Sequence, residues 1–521
     1  MNIGSTLTQA AAAHPDHIAI IHGDKTLSYR AFNERANRLA SQFRALGIRP
    51  GDRVGILQRN GPELLETLFA TFKAGAVAVP INARSHPKEY AYILENSGCS
   101  AVVFQEDFVA GLDTVRHALP DLCIFIAIGA ASTWSTPYEN LVASGDPADA
   151  DVDCAPHDLA WLFYTSGTTG KPKGAMNCHA NLQFMSDHYP REVYQLGPHD
   201  VVLHPGPLTH GSGLWSIPIT AGAGTHLIPS GTSFDPDEIF RLIEKHRVTK
   251  IAFIAPTMIT MLLNAPTIDR HDLSSLRFLG YGGAPMYVED LKRAIQQWGP
   301  ILCQVYGQGE SPMTISLLKR EDHKLPGDPA AERRLASAGR VREDIELAIL
   351  DEADHEVPEG EIGEIAIRGE IVMRGYWNMP EATAEVFKGG WYHSGDLGMR
   401  DADGYVFLLD RKKEMIISGG ANVYPRELEE VFLLHPGVLE VAVIGIPDRL
   451  WGESVMAVVR PRPGASPTEG ELLTLCREHL AGYKKPRFIR YQDDLPKNSY
   501  GKILKRELKQ SILAEIPKVA T

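Results

Sequence analysis

The sequence predicts an α/β protein with a large N-terminal domain of mainly parallel sheets and a small α+β C-terminal domain. Three observations predict it. Buried-looking strand runs alternate with amphipathic helical stretches over short connections, the pattern of parallel sheets covered by helices. The length, 521 residues, exceeds one ordinary domain. Past about residue 410 the texture changes: the charge cluster Asp410-Arg-Lys-Lys-Glu414 reads as a solvated linker, and a compact α+β pattern follows it. The division is therefore expected at 1–410 and 411–521.

In chain order, residues 28–46 form an amphipathic helix, because Phe32, Ala36, Leu39, Phe43 and Leu46 recur every three or four residues and Gly47 stops it. Residues 62–73 repeat the pattern, and the apolar run 77–81 is a buried strand. Asp235-Pro-Asp-Glu238 opens a helix, with an N-cap aspartate, proline at N1 and a carboxylate at N3. The run 251–263 is broken by Pro256 and is too short to span a bilayer, so it reads as a strand followed by a helix. Strands are expected at 248–254, 276–280 and 301–305, with a helix over 286–298. Beyond the cluster come helix 425–434, strands 441–445 and 454–459, helix 468–480 and strand 488–491. No repeat of fixed period is present.

Composition excludes several classes of function. With 44% hydrophobic and 22% charged residues the chain is globular. A net charge of −13 argues against a nucleic-acid or anionic-membrane surface as main partner, so an anionic substrate must be held by local basic groups. Six scattered cysteines, at 99, 123, 154, 178, 303 and 476, form no CxxC pair; neither a zinc site nor a disulfide framework is indicated, and a reduced cytoplasm fits. The N-terminus has no basic and apolar leader pattern, so no signal peptide is expected.

The chemistry is concentrated first in Tyr164-Thr-Ser-Gly-Thr-Thr-Gly-Lys-Pro-Lys-Gly174, directly after the apolar run 159–164. The hydroxyls of Thr165, Ser166, Thr168 and Thr169, the glycines at 167, 170 and 174, and Lys171 and Lys173 together suit a polyphosphate held by amide and hydroxyl donors. It is not a Walker A loop, since Gly170-Lys171 is followed by Pro172. These eleven residues resemble the phosphate loop of the AMP-forming adenylating enzymes: acyl-CoA and aryl-CoA synthetases, stand-alone adenylation domains and insect luciferases.

The resemblance extends from residue 20 to 510. Tyr306-Gly-Gln-Gly-Glu310 is similar to the family's Tyr-Gly-x-Thr-Glu, which implies that Tyr306 and Gly307 meet the nucleotide and that Glu310, with Thr165, holds Mg²⁺. Gly309 departs from the usual threonine, which removes a hydroxyl and is expected to add room near the acyl group. Gly280-Tyr-Gly-Gly-Ala-Pro285 ends a strand, where α/β sheets place ligands; by resemblance Gly282, Gly283, Ala284 and Pro285 pack on adenine. In Trp391-Tyr-His-Ser-Gly-Asp-Leu-Gly398 a carboxylate between glycines can accept from both ribose hydroxyls. Asp396 takes that role, with Arg411 sharing the ribose.

Lys413 falls at the family's hinge, and a charged residue with no need of burial suits large backbone changes. Ser418-Gly-Gly-Ala-Asn-Val-Tyr-Pro425 implies a pantetheine tunnel at Gly420, and Trp451, Tyr483 and Lys485 resemble positions that meet the CoA nucleotide. Pro496-Lys-Asn-Ser-Tyr-Gly-Lys-Ile-Leu-Lys505 is similar to the loop whose lysine, here Lys502, neutralises carboxylate and α-phosphate.

The implied activity is that of an acid–CoA ligase using ATP, Mg²⁺ and coenzyme A: a carboxylate attacks the α-phosphate, pyrophosphate leaves, and a thiol then displaces AMP. In Pro207-Leu-Thr-His-Gly-Ser-Gly213, His210 is the candidate that flanks the acyl carboxylate and gates CoA. The region 209–219 carries no carboxylate for an amino group. The expected lining (Gly211, Ser212, Gly280, Gly282, Val305, Gly307, Gly309, Pro312, Met313) is small and uncharged, without the arginine a dicarboxylate needs. A fatty or aromatic acid is expected. Two rival readings are transfer of the acyl group to a carrier-protein thiol or another acceptor and a non-catalytic acyl or nucleotide binder; Asp396, Arg411 and Lys502 speak against the latter. The sequence leaves the assembly open, with a homodimer as one candidate.

Overall fold

The structure, a computed structural model, describes residues 1–148, 151–165, 171–284, 286–324, 327, 329–497 and 501–515. Among these, two sheets frame the large domain. In one, Ile124–Ile128, Cys99–Gln105, Arg53–Leu57, Val77–Ile81 and Leu159–Thr165 run parallel, and Lys173–Cys178 closes the edge antiparallel to Leu159–Thr165. In the other, Ile18–His22, Thr225–Ile228, Val201–Leu203, Lys250–Ile254, Phe278–Gly282 and Leu302–Gln308 are parallel, and Ser311–Leu318 turns back antiparallel. A third, antiparallel sheet carries Gly363–Arg368, Trp391–Arg400 and Val406–Arg411.

The helices follow the apolar patterns. Tyr29–Ala45 is capped by the Ser28 hydroxyl and buries Phe32, Ala36, Leu39 and Phe43. Leu46, expected on the same stripe, is the C-cap residue and is exposed. Pro62–Lys73 is buried along its length, so its last-turn Lys73 is fully enclosed and pairs with Asp151 at 2.9 Å. Gly211–Ala221 is apolar all round and packs inside the main core. The expected strand at 276–280 lies two residues later, at Phe278–Gly282, because parallel pairing sets its register: Gly280 faces Cys303 and Gly282 faces Val305. A Cβ at Gly280 would lie 2.3 Å from the Ala252 carbonyl and one at Gly282 2.2 Å from that of Val305, so the close approach of backbones demands glycine at both.

The small domain is a sheet in which Gly452–Pro461 pairs antiparallel with Val438–Asp448 and parallel with Phe488–Tyr491. Helices Pro425–Leu433 and Glu469–His479 supply one core with it, and Lys505–Glu515 another. Thr468 and Glu471 form the capping box that starts the second helix.

Buried histidines bear on stability. His204 Nε2 meets His226 Nδ1 at 3.0 Å, the Thr220 hydroxyl meets His226 Nε2 at 3.0 Å, and Tyr281 pairs with His323 at 2.9 Å. Burial lowers His204 to about 3, His179 and His323 to about 4, and His226 further below its ordinary value. The unfolded chain therefore protonates first as pH falls below about 6.5, and each such histidine costs about 1.4 kcal/mol per pH unit between there and its folded value. Urea midpoints should fall steadily from pH 6.5 to 4.5. A flat midpoint over that interval would contradict the burial argument.

Candidate functional site

The antiparallel pairing of Leu159–Thr165 with Lys173–Cys178 sets Thr165 opposite Lys173. Ser166, Gly167, Thr168, Thr169 and Gly170 lie outside the described residues, as does Pro285. Thr165 Oγ1 donates to Glu310 Oε1 at 2.9 Å, and the Tyr376 hydroxyl donates to the same oxygen at 2.9 Å. The Lys173 ammonium sits 4.9 Å over the Tyr376 ring, and that of Lys171 5.2 Å over Tyr92. Glu310 is buried, and its backbone carbonyl accepts from Met373 N at 2.7 Å.

A second group forms around Asp396. Antiparallel pairing puts Asp396 directly opposite Arg411, and Arg411 Nε meets Asp396 Oδ1 at 2.6 Å. The other oxygen accepts from the Tyr306 hydroxyl at 2.7 Å and from Gln308 Nε2 at 2.6 Å. Gln308 is itself fixed, donating to Ser394 O at 3.0 Å and accepting from the Tyr392 hydroxyl at 2.8 Å. The Asp396 carboxylate raises the Arg411 guanidinium above its ordinary value, and burial with the same carboxylate raises the Tyr306 phenol. Gly307 connects the two groups along the strand Leu302–Gln308, with Gly283 in the left-handed region (φ 78°) and Ala284 at the end of the neighbouring strand.

Lys502 comes from the small domain. Burial depresses its ammonium pKa and Arg411 adds to this, while Glu414 and Asp396 oppose it, so Lys502 shares one electrostatic environment with the Asp396–Arg411 pair. The preceding Gly501 (φ 77°) crosses so close to the large domain that a Cβ would lie 2.4 Å from Thr257 Oγ1. Beside it a cavity of about 490 Å³ is lined by Arg59, Arg84, His204, Thr209 and Lys497, among others.

His210 is the N-cap residue of Gly211–Ala221, with Gly211 and Ser212 in the first turn. Its ring centroid is 4.6 Å from that of Phe163, and burial lowers its pKa to about 4, so it is neutral at physiological pH. Val305 and Pro312 are buried nearby in sequence to Glu310, with Met313 on the strand Ser311–Leu318. At Gly309 the expectation of added room is wrong. A Cβ there would lie 2.4 Å from Phe163 Cδ1 and 2.9 Å from Thr165 Cγ2, because the Phe163 ring already fills the space.

The linker differs from a solvated cluster. Lys413 is exposed in the turn 412–414, but burial pushes the Asp410 carboxyl up to about 6. Lys505 pairs with buried Glu429 at 2.8 Å. Across the domain boundary Tyr287 OH reaches Glu429 at 3.4 Å, Val288 N reaches Glu430 at 3.4 Å and Arg426 N reaches Asp410 at 3.3 Å. Gly420 is exposed with φ 80° in the turn between Ile416–Ser418 and Ala421–Val423. Trp451 packs over Gly419 with the Arg487 guanidinium 5.8 Å from its ring, and Tyr483 is exposed two residues before Lys485.

Sequence reasoning missed Gln308, Tyr376, Tyr392 and Phe163. Gln308 lay inside a motif already singled out, between two residues that received roles. Tyr376 had only an aromatic-after-glycine signal, which carries little by itself.

The chain matches the AMP-binding enzyme family over residues 7–377 and the AMP-binding enzyme C-terminal domain over residues 427–502. The chain belongs to the AMP-binding enzyme family. It is 39% identical over 511 residues to a feruloyl-CoA synthase of Amycolatopsis sp., covering 98% of each chain. It is 35% identical over 522 residues to a long-chain-fatty-acid–CoA ligase of Mycobacterium tuberculosis, covering 99% of this chain and all of that one. Among solved structures it is similar to an anthranilate CoA ligase in complex with anthranoyl-AMP, with a TM-score of 0.91 and 26% identity over 99% of this chain and 98% of that one. Among the described residues no helix is long and apolar enough to cross a membrane.

Proposed function

We propose that this protein is an ATP-dependent acid–CoA ligase that converts a fatty or aromatic carboxylic acid first to its acyl-adenylate and then to its CoA thioester. Family membership and full-length likeness to acid–CoA ligases support the reaction; a carrier-protein thiol as acceptor is the less favoured reading. The observation that carries the residue assignments is the convergence of Arg411, Tyr306 and Gln308 on the Asp396 carboxylate, with Lys502 feeling the charges of the Asp396–Arg411 pair.

In the first half-reaction Asp396 accepts from the ribose hydroxyls, held in position by Arg411, Tyr306 and Gln308. The loop from Thr165 to Lys173 cradles the phosphates, and adenine lies along residues 282–285. His210, neutral and at the positive end of its helix, flanks the acyl carboxylate. Lys502 bridges carboxylate and α-phosphate, where negative charge develops. Among the described residues no cluster of three or more His, Cys, Asp or Glu could hold a metal alone. Glu310 and Thr165 do supply hard oxygen donors, which fits Mg²⁺ shared with substrate phosphates; the ion would neutralise phosphate charge.

In the second half-reaction the thiol cannot reach the anhydride while Lys502 fills the cleft. The small domain, taken as 411–521 against 1–410, turns about Lys413 in the exposed turn. Gly420 then lines the pantetheine path, with Trp451, Tyr483 and Lys485 at the CoA nucleotide. The six free cysteines, five of them buried, suit a cytoplasmic location. The test is pyrophosphate exchange and thioester formation on free CoA across fatty, benzoic and cinnamic acids. Exchange without thioester would favour a different acceptor, and no exchange with any acid would refute the proposal.

A further inference from the structure

Gly309 has no backbone reason to be glycine, since its φ is not in the left-handed region. Space alone demands it. A Cβ would meet Phe163 at 2.4 and 2.8 Å and Thr165 at 2.9 Å. Phe163 cannot simply retreat: it is buried, its ring stacks 6.4 Å from Trp161, and Trp161 in turn lies 6.1 Å from Phe72. Nor can the backbone at 309 shift freely, because Asn177 Nδ2 donates to its carbonyl at 3.1 Å. An aromatic column thus runs from the core to one end, and the residue at that end is His210, 4.6 Å from Phe163 and tilted by 37°.

We propose that Phe163 and Gly309 are a size-matched pair that positions His210: the ring takes the volume that a side chain at 309 would occupy and becomes the wall against which the imidazole is set. This rests on the reading that His210 flanks the acyl carboxylate. Bulk added at 309 displaces the ring, and the imidazole of His210 lies against that ring. Thr165 on the opposite side is tied to Glu310. The pair therefore controls where the acid's carboxylate rests relative to the α-phosphate, and its signature is a change in turnover with little change in nucleotide affinity.

The test is carboxylate-dependent pyrophosphate exchange by G309A, F163L, F163L/G309A and H210A, each checked by thermal melting. G309A should lower kcat by about 10- to 100-fold, the scale of an ångström-sized misplacement, with the KM for ATP unchanged. F163L/G309A should recover most of that loss, because the smaller side chain yields the space. H210A should be impaired as well. A G309A enzyme with normal kcat, or a double variant no better than G309A, would overturn the pairing; if G309A does not fold, the double variant compared with F163L alone decides, since a double variant less active than F163L would overturn it too. H210A at full rate would instead remove the reading of His210 itself, and the pair's proposed purpose with it.

Discussion

Replacing Lys502 with alanine should lower pyrophosphate exchange by about 10²–10³-fold, the loss expected when one transition-state donor is removed, while thioester formation from preformed acyl-adenylate stays near normal. The asymmetry follows from where the side chain is. In the arrangement seen here Lys502 shares the Asp396–Arg411 environment, with Gly501 set close against Thr257. On the proposed mechanism the thiol step needs that same space vacated. Rapid-quench measurement of the two half-reactions separates them, and equal losses in both would show that the domain does not exchange roles between steps.

Asp396→Asn should raise the KM for ATP by about 10- to 100-fold, with kcat affected less. Three donors converge on this carboxylate, from Tyr306, Gln308 and Arg411. An asparagine keeps the shape but turns one acceptor oxygen into a donor, so at least one converging group faces another donor and the Arg411 charge loses its counterion. A charge-assisted hydrogen bond is worth about 1.5–3 kcal/mol, which sets the size of the effect. Initial-rate kinetics over ATP concentration check it; an unchanged KM would place the ribose elsewhere. Gln308→Leu is not an equivalent variant, because it leaves Tyr392 without its acceptor.

What could be read from the chain depended on whether a signal was local. Pro62–Lys73 and Val77–Ile81 were legible to the residue because apolar patterning and Pro or Gly punctuation are written along the sequence. Phe278–Gly282 was displaced because parallel register is set by partners far away in the chain. The same divide runs through the site. Thr165, Glu310, Asp396 and Arg411 stand in recognisable strings, and the fold brings them together. Gly309 was misread for the opposite reason: a missing side chain looks like room until the residue that fills it, Phe163, is known. Asp410 looked solvated because charge on a sequence carries no record of the burial that packing imposes.

The hydrogen bonds that cross between the lobes have a bearing on turnover. Lys505 and Glu429 both belong to the small domain, whereas Tyr287 with Glu429, Val288 with Glu430 and Arg426 N with Asp410 span 3.3–3.4 Å across the boundary and Arg426 Nη1 donates to Leu408 O at 2.9 Å. The three longer bonds are near the outer limit and contribute little, whereas the Arg426–Leu408 bond is of ordinary length. If the small domain turns as proposed, the releasing step must break the Arg426–Leu408 bond, while the Lys505–Glu429 pair rides intact on the moving part.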